Sequence, residues 1–352
     1  MMKIGKVINI KKTKNNVFIL IKEKDDKIIQ CVLRKNLLNS LENEIFLGDV
    51  ISCNVTIDLN NNSKYKCSYP SFIINYVDKI SKHIENLNLS LNIDGIKKYS
   101  LVKTKTREYF NSLNYVEVTL PSLTDDTVSS KSKSFKTNHY YSDKELYLRK
   151  TMDPFLRILS CCGMNRVYSI GNIYRNEHVT ALRQPESEML SVFTAYASRN
   201  EMIKICLQVL KNLGYLEGKE IYYVKHGDEK FNDKNVIEVI IDYPISTESN
   251  AKRDIINNIS NEFKIKYLGK TIIHGVEEIC DVDDYYKILI EQEKKYSIGD
   301  LELLRNCIAS GAVPCYNLGI SLQRMVMLFD NLSIKDINPF PFSRFKIKEL
   351  KK

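Results

Sequence analysis

Tryptophan is absent from this 352-residue sequence, and glycine (13), proline (8) and histidine (5) are scarce. So little glycine and proline excludes a collagen-like or proline-rich low-complexity chain. No apolar run approaches the roughly 18–20 residues that cross a bilayer as a helix. The opening Met1-Met2-Lys3-Ile4-Gly5-Lys6 lacks the apolar core of a signal peptide. The nine cysteines are scattered, no Cys-x-x-Cys occurs, and the one close pair, Cys161-Cys162, is adjacent. Adjacent thiols make poor zinc chelates and awkward disulfides, so the expectation is a cytoplasmic protein with reduced, mostly buried cysteines. The histidines His83, His139, His178, His226 and His274 show no ligand spacing, which argues against a structural zinc site. A glycine-rich phosphate loop of either standard kind is also missing.

What is present is ordinary globular material, 43% hydrophobic and 27% charged. At ~100–200 residues per domain the length suggests about two domains. The net charge of +9 fits a polyanion such as RNA or a nucleotide. A sequence rich in Lys, Asn and Ile can also be basic through compositional bias alone.

Short strand patterns recur at 3–10, 17–21, 28–33, 50–57 and 71–77. In 50–57, Ile51, Cys53, Val55 and Ile57 alternate with Ser52, Asn54 and Thr56, as a half-buried strand requires. Five such strands predict a small barrel of the oligonucleotide-binding type over 1–80, with a generic small β domain as the alternative. Residues 81–95 read as a polar linker. From 96 to 352 helical patterns (from Ile96 to Leu113, then 154–162, 200–213, 252–263, 298–310, 322–329) mix with strands (115–120, 166–174, 189–197, 236–242, 271–279, 316–321). Residues 122–142 read as a polar loop. The strands are too irregularly spaced for a Rossmann fold, so the larger part is expected to be one α+β domain.

Two stretches could carry chemistry. An apolar strand, Val167-Tyr168-Ser169-Ile170-Gly171-Asn172-Ile173-Tyr174, ends in Arg175-Asn176-Glu177 and is followed by a polar loop with Arg183-Gln184-Pro185-Glu186. An arginine at a strand end can fork onto a phosphate, and a glutamate two residues on shares its face. A surface Arg–Glu pair is the plainer reading. In Asn317-Leu318-Gly319-Ile320-Ser321-Leu322-Gln323-Arg324-Met325 an arginine sits where a strand becomes an apolar helix. Arginine is seldom buried unpaired, and an anion suits a helix N-terminus.

Together these stretches resemble motifs 2 and 3 of the class II aminoacyl-tRNA synthetases, most closely the aspartyl, asparaginyl and lysyl subgroup. Arg107-Glu108-Tyr109-Phe110-Asn111-Ser112-Leu113-Asn114-Tyr115-Val116-Glu117-Val118-Thr119-Leu120-Pro121 is similar to motif 1, which in that family lies at a dimer interface. Leu146-Tyr147-Leu148-Arg149, Pro154-Phe155-Leu156-Arg157, Ile240-Ile241-Asp242-Tyr243-Pro244 and the ending Ser333-Ile334-Lys335-Asp336-Ile337-Asn338-Pro339-Phe340-Pro341-Phe342 resemble further family segments in the right order.

The resemblance implies a barrel followed by a catalytic domain on an antiparallel sheet with flanking helices. It implies a homodimeric ligase that forms an aminoacyl-adenylate from ATP and passes the acyl group to an acceptor, by default tRNA. Arg175 would bind the α-phosphate and the amino-acid carboxylate, Glu177 the adenine end, and Arg324 the adenine face and γ-phosphate. Arg183, Gln184 and Ser321 would lie near ATP. Glu277 or Glu278 would hold magnesium, and a one-residue slip reverses which of them faces the site. Ser129 and Asp153 fall near the substrate amino group. Gln30 matches a Gln in the family's anticodon-reading strand, with Phe18 as the nearby aromatic.

The departures are as informative. After Arg-Gln-Pro-Glu the family's Phe-Thr is Ser187-Glu188, and the acidic residue before the motif 3 arginine is Gln323. The glycine-rich turn and arginine that read an aspartate side chain are replaced by Ile279-Cys280-Asp281-Val282-Asp283-Asp284-Tyr285; a supporting Lys is Leu156, and a His is Cys315. The aspartate-reading set is therefore dismantled, and Asp281, Asp283 and Asp284 could favour a cationic substrate or form a solvated turn. Two rivals stand beside the tRNA ligase: a paralogue that loads another amine, such as a protein lysine, a peptide or a pathway intermediate, and a catalytically silent RNA-binding relative.

Overall fold

The structure is a computed structural model that describes residues 1–34, 45–58, 68–81, 91–124, 133–180, 182–229, 232–245, 251–293 and 302–341. Ser129 and Phe342 lie outside these. The chain forms two compact units, Met1–Ser90 and Leu91–Lys352.

In the first unit β1 (Met2–Lys12), β2 (Asn16–Lys22), β3 (Ile28–Arg34), β4 (Val50–Ile57) and β5 (Ser71–Ser81) close a barrel in the order β1-β2-β3-β5-β4. Alternation fills it: Ile19, Ile21, Ile29, Cys31, Leu33, Ile51, Cys53, Val55 and Ile74 are buried inside. Phe18 is half-buried and points outward, since its neighbours Val17 and Ile19 take the core positions. The β2–β3 register pairs Leu20 with Gln30 and Phe18 with Val32, so Phe18 and Gln30 share the barrel's outer surface. Phe18 is thus not a core residue.

The second unit opens with α1 (Ile93–Ser112), capped where the Asn92 side chain accepts from the Gly95 N–H. There follow β6 (Val116–Glu117), β7 (Leu123–Thr124), β8 (Lys136–His139), β9 (Lys144–Leu148), α2 (Asp153–Cys161), β10 (Arg166–Tyr174), β11 (Glu186–Ala195) and α3 (Arg199–Asn212). Then come β12 (Glu220–Lys225), β13 (Val236–Ile241), β14 (Tyr243–Pro244), β15 (Arg253–Asp254), β16 (Ile259–Ser260), β17 (Glu262–Tyr267), β18 (Lys270–Glu277), α4 (Val282–Glu293), α5 (Glu302–Ala309), β19 (Cys315–Ile320), α6 (Leu322–Phe329) and α7 (Ile334–Ile337).

Eight strands make the main sheet, in the order β12-β13-β17-β18-β19-β11-β10-β6. Its centre is antiparallel, but both edge pairs, β12–β13 and β10–β6, are parallel, so the sheet is mixed rather than wholly antiparallel.

Three expectations are corrected. Residues 252–263 are not helical; they form β15, a turn, β16 and the start of β17. Ile255 and Ile256, which suggested a helix face, are exposed in that turn, and Asn258 has a positive φ of 55° that a helix excludes. The segment 122–142 is not all loop, because it contributes β7 and β8 to a small sheet with β9. The strand expected at 115–120 pairs only at Val116–Glu117.

The two faces of the main sheet differ. On one, Tyr168, Leu190, Val192, Ile265, Ile273, Leu318 and Ile320 pack with Val102 and Phe110 of α1, Met202 and Val209 of α3, and Met325 of α6. This is the principal core. Cross-strand partners share a face, so the register also sorts the opposite side. Met189 pairs with Gly171, Ser191 with Ser169 and Gly319, and Phe193 with Val167 and Asn317. At its lower end Phe193, Val167 and Cys315 are covered by Leu156 of α2. Above that point the face carries Ser169, Ser191, Gly171, Gly319 and Met189, with Arg149 and Met152 lying over Gly171.

Candidate active site

Arg175 extends past the end of β10 on this open face. Its N–H donates to the Pro185 carbonyl at 2.8 Å, closing the hairpin to β11, and its Nε reaches the Lys150 carbonyl at 3.4 Å. The connecting loop turns at a Thr180–Arg183 bridge, and the Gln184 Nε2 donates to the Thr180 carbonyl at 3.2 Å. Across the sheet β19 runs into α6 through Ser321, whose N–H donates to the Ile272 carbonyl. Arg324, one turn into α6, is half-buried and donates from Nη1 to the Thr271 carbonyl at 2.6 Å.

These segments surround a cleft of about 570 Å³ lined by Arg175, Glu177, Arg183, Gln184, Ser321 and Arg324. Ser187, Met189 and His274 complete its floor. Burial pulls the Arg324 guanidinium below the usual arginine range, and the cations Arg183 and Arg175 pull it further. Two buried polar atoms in the cleft, Arg324 Nε and Gln184 Oε1, have no hydrogen-bond partner among the described residues. Three convergent guanidinia and an orphaned donor fit a polyphosphate, which would relieve the mutual repulsion and supply the missing acceptor.

Register also separates the two glutamates left undecided by sequence. Glu277 pairs with Tyr316 on the core face, where its carboxylate is held by Lys252 Nζ at 2.8 Å and Asn261 Nδ2 at 2.9 Å. Glu278 donates its N–H to the Cys315 carbonyl and turns its side chain to the open face. There it is buried, 2.9 Å from Arg157 Nη1, and bonded to the Asn317 side chain. Burial pushes its carboxyl above the usual range, against the pull of Arg157. Both carboxylates are thus committed to protein cations. Among the described residues no cluster of three or more acidic, His or Cys side chains could hold a metal. Magnesium on a nucleotide takes one or two carboxylates beside the phosphates and waters, so Glu277 and Glu278 are the residues here that would hold it.

Asp153 begins α2 beside this pair and accepts from Thr151 Oγ1 at 2.7 Å. Asp281 is exposed, and its Oδ1 accepts from the N–H groups of Asp283 and Asp284 at 2.9 and 3.0 Å, so it serves as the N-cap of α4. Two substituted positions take up other work. Glu188 faces the core side, where Tyr99 Oη donates at 2.5 Å and Lys103 lies 3.2 Å away, and its N–H donates to Gln323 Oε1 at 3.3 Å. Leu156 and Cys315 are packed core. Arg157 had no role assigned from sequence, because its partner lies 121 positions away and only the fold brings them together.

Residues 91–215 match the family model described as class II tRNA synthetases (D, K and N). Over that segment the chain is similar to the class II tRNA synthetases. It is 26% identical over 332 aligned positions to a lysine–tRNA ligase of Thermotoga maritima, covering 74% of this chain and 66% of that protein. The lysine–tRNA ligase of Thermosynechococcus vestitus is 24% identical, with 71% and 63% covered, and that of Baumannia cicadellinicola is 25% identical, with 97% and 86% covered. The chain thus spans about two thirds of the length of the first two of these relatives. The matched segment holds α1, the β10–β11 hairpin and Arg175, and Arg324 joins the same cleft from outside it.

Proposed function

We propose that this protein activates an amino acid with ATP and transfers the aminoacyl group to an acceptor, by default tRNA. The observation that carries the reading is the convergence of Arg175, Arg183 and Arg324 on one cleft at the open end of the sheet. A carboxylate oxygen of the amino acid attacks the α-phosphorus in line, and pyrophosphate leaves. The reaction needs positioning and charge stabilisation rather than a protein nucleophile. Arg175 brings the carboxylate and α-phosphate together, two anions that would otherwise repel. Arg183 and Arg324 take the charge that builds on the departing pyrophosphate. In the second step a hydroxyl or amine of the acceptor attacks the acyl carbonyl and AMP leaves.

The outer barrel surface with Phe18 and Gln30 is the proposed contact for tRNA, and α1 with β6 the proposed dimer surface. The test is amino-acid-dependent ATP–pyrophosphate exchange, with and without total tRNA. Wild-type protein should exchange, and Arg175→Ala should lower the rate by at least a hundred-fold, in the range lost with a transition-state cation. Unchanged exchange in that variant would refute the site.

A further inference from the structure

We propose that the open edge of the main sheet, strand β12, is a self-association surface. It pairs antiparallel with β12 of a second copy about a two-fold axis at Tyr223. The strand Glu220-Ile221-Tyr222-Tyr223-Val224-Lys225 ends the sheet on the side opposite β6, and among the described residues no strand lies beyond it. Its inner side is fixed by the parallel register with β13, which runs from Glu220 opposite Val236 to Lys225 opposite Ile241. The Glu220 N–H donates to the Asn235 carbonyl at 2.8 Å, and the His226 N–H donates to the Ile241 carbonyl at 2.9 Å. Only alternate residues of a strand bond to a given neighbour. The even positions therefore serve β13, and Ile221, Tyr223 and Lys225 turn their N–H and C=O groups outward.

Such an edge is usually blunted by a proline, a bulge, a central lysine or a covering segment. β12 contains no proline, shows no register shift against β13, and carries its single lysine at the last position. It also shows apolar surface to solvent, with Ile221 37%, Tyr222 40% and Tyr223 57% exposed.

The partner follows from the order of side chains along the strand. A two-fold axis normal to a sheet keeps each face on its own side, so a residue can oppose only one of the same parity. Outward-bonding residues must also meet outward-bonding residues. An axis at Tyr223 meets both conditions. Tyr223 then opposes Tyr223, Ile221 opposes Lys225, Tyr222 opposes Val224, and Glu220 opposes His226. No like charges face each other, a carboxylate meets an imidazole, and the Lys225 stem lies along Ile221. An axis at Tyr222 would set Lys219 against Lys225 and bring together the positions already bonded to β13. An axis at Lys225 would set that lysine against itself. The pairing needs no nucleotide or amino acid. Because β6 lies at the other end of the sheet, it can coexist with the proposed α1–β6 contact and carry the assembly past two copies.

The test is sedimentation of the full chain, joined to cysteine cross-linking. Tyr223→Pro deletes one outward N–H and leaves the ladder to β13 intact, a change that edge strands tolerate. It should lower the assembly by one pairing step, from dimer to monomer or from a larger species to a dimer. A wild-type chain that stays monomeric at every concentration overturns the proposal, as does a mass unchanged by Tyr223→Pro. If circular dichroism shows that variant misfolded, Tyr223→Lys takes its place, since it sets two ammonium groups face to face. The same step down in mass is expected, and an unchanged mass overturns the pairing. Tyr223→Cys would place two thiols on Cα atoms about 5.5 Å apart, within disulfide reach. With diamide, which takes up the two thiol hydrogens, it should give a covalent dimer that is absent from the wild type and from Tyr222→Cys. No dimer from Tyr223→Cys, or as much from Tyr222→Cys, overturns the register.

Discussion

Glu278 and Arg157 show what one residue can and cannot declare in a sequence. Arg175, Glu177 and Arg324 could be singled out because each stands in a run with a distinct local pattern, a strand end or a strand-to-helix turn, and the fold gathers them at one cleft. Glu277 and Glu278 were not separable, because adjacent residues on a strand face opposite sides and only the pairing with Tyr316 and Cys315 fixes which is which. The environment of Glu278 then makes a prediction about pH. Burial raises its carboxyl pKa in the folded protein. Between the ordinary carboxylate range and that raised value, the folded state binds more protons than the unfolded one. Stability therefore falls as pH rises through the window. Glu278→Gln should abolish that fall in urea titrations run upward in pH from the ordinary carboxylate range.

The elements that sequence located best are those with one unambiguous period. Strand β4 at Val50–Ile57, β10 at Arg166–Tyr174 and helix α6 at Leu322–Phe329 fall where alternation or a continuous apolar stripe demands. Residues 252–263 misled because Ile255, Ile256, Ile259 and Phe263 imitate a helical stripe, although only Phe263 of the four is fully buried. Periodicity cannot tell a stripe that is buried from one split across a turn. Helix α3 carries a complete signal instead. Ser198 Oγ accepts from the Glu201 N–H, and the Glu201 carboxylate accepts from the Ser198 N–H at 2.7 Å. Ser198→Ala should cost about 1 kcal/mol of stability in chemical denaturation, with the midpoint shifted and the slope unchanged.

At the scale of the molecule, the division into a barrel and a larger α+β unit was readable from the change of period near residue 90, whereas the parallel edge pairs β12–β13 and β10–β6 were not. Edge pairing depends on how the chain crosses over the sheet, which no local window contains. The barrel's outer surface makes its own prediction. If Phe18 stacks a base, Phe18→Ala should weaken tRNA binding by about 1–3 kcal/mol, read by filter binding at fixed salt. The placement of arginine has a wider consequence. Most of the 52 basic residues of this chain are lysines. Yet the cleft uses Arg175, Arg183 and Arg324, Arg157 is buried against Glu278, and Arg149 spans the Leu120, Pro121 and Asn172 carbonyls with one planar group. Lysine supplies charge anywhere, but it cannot supply a rigid fork. In a lysine-rich vocabulary an arginine is a geometric word, spelled out where one planar group must meet several acceptors at once.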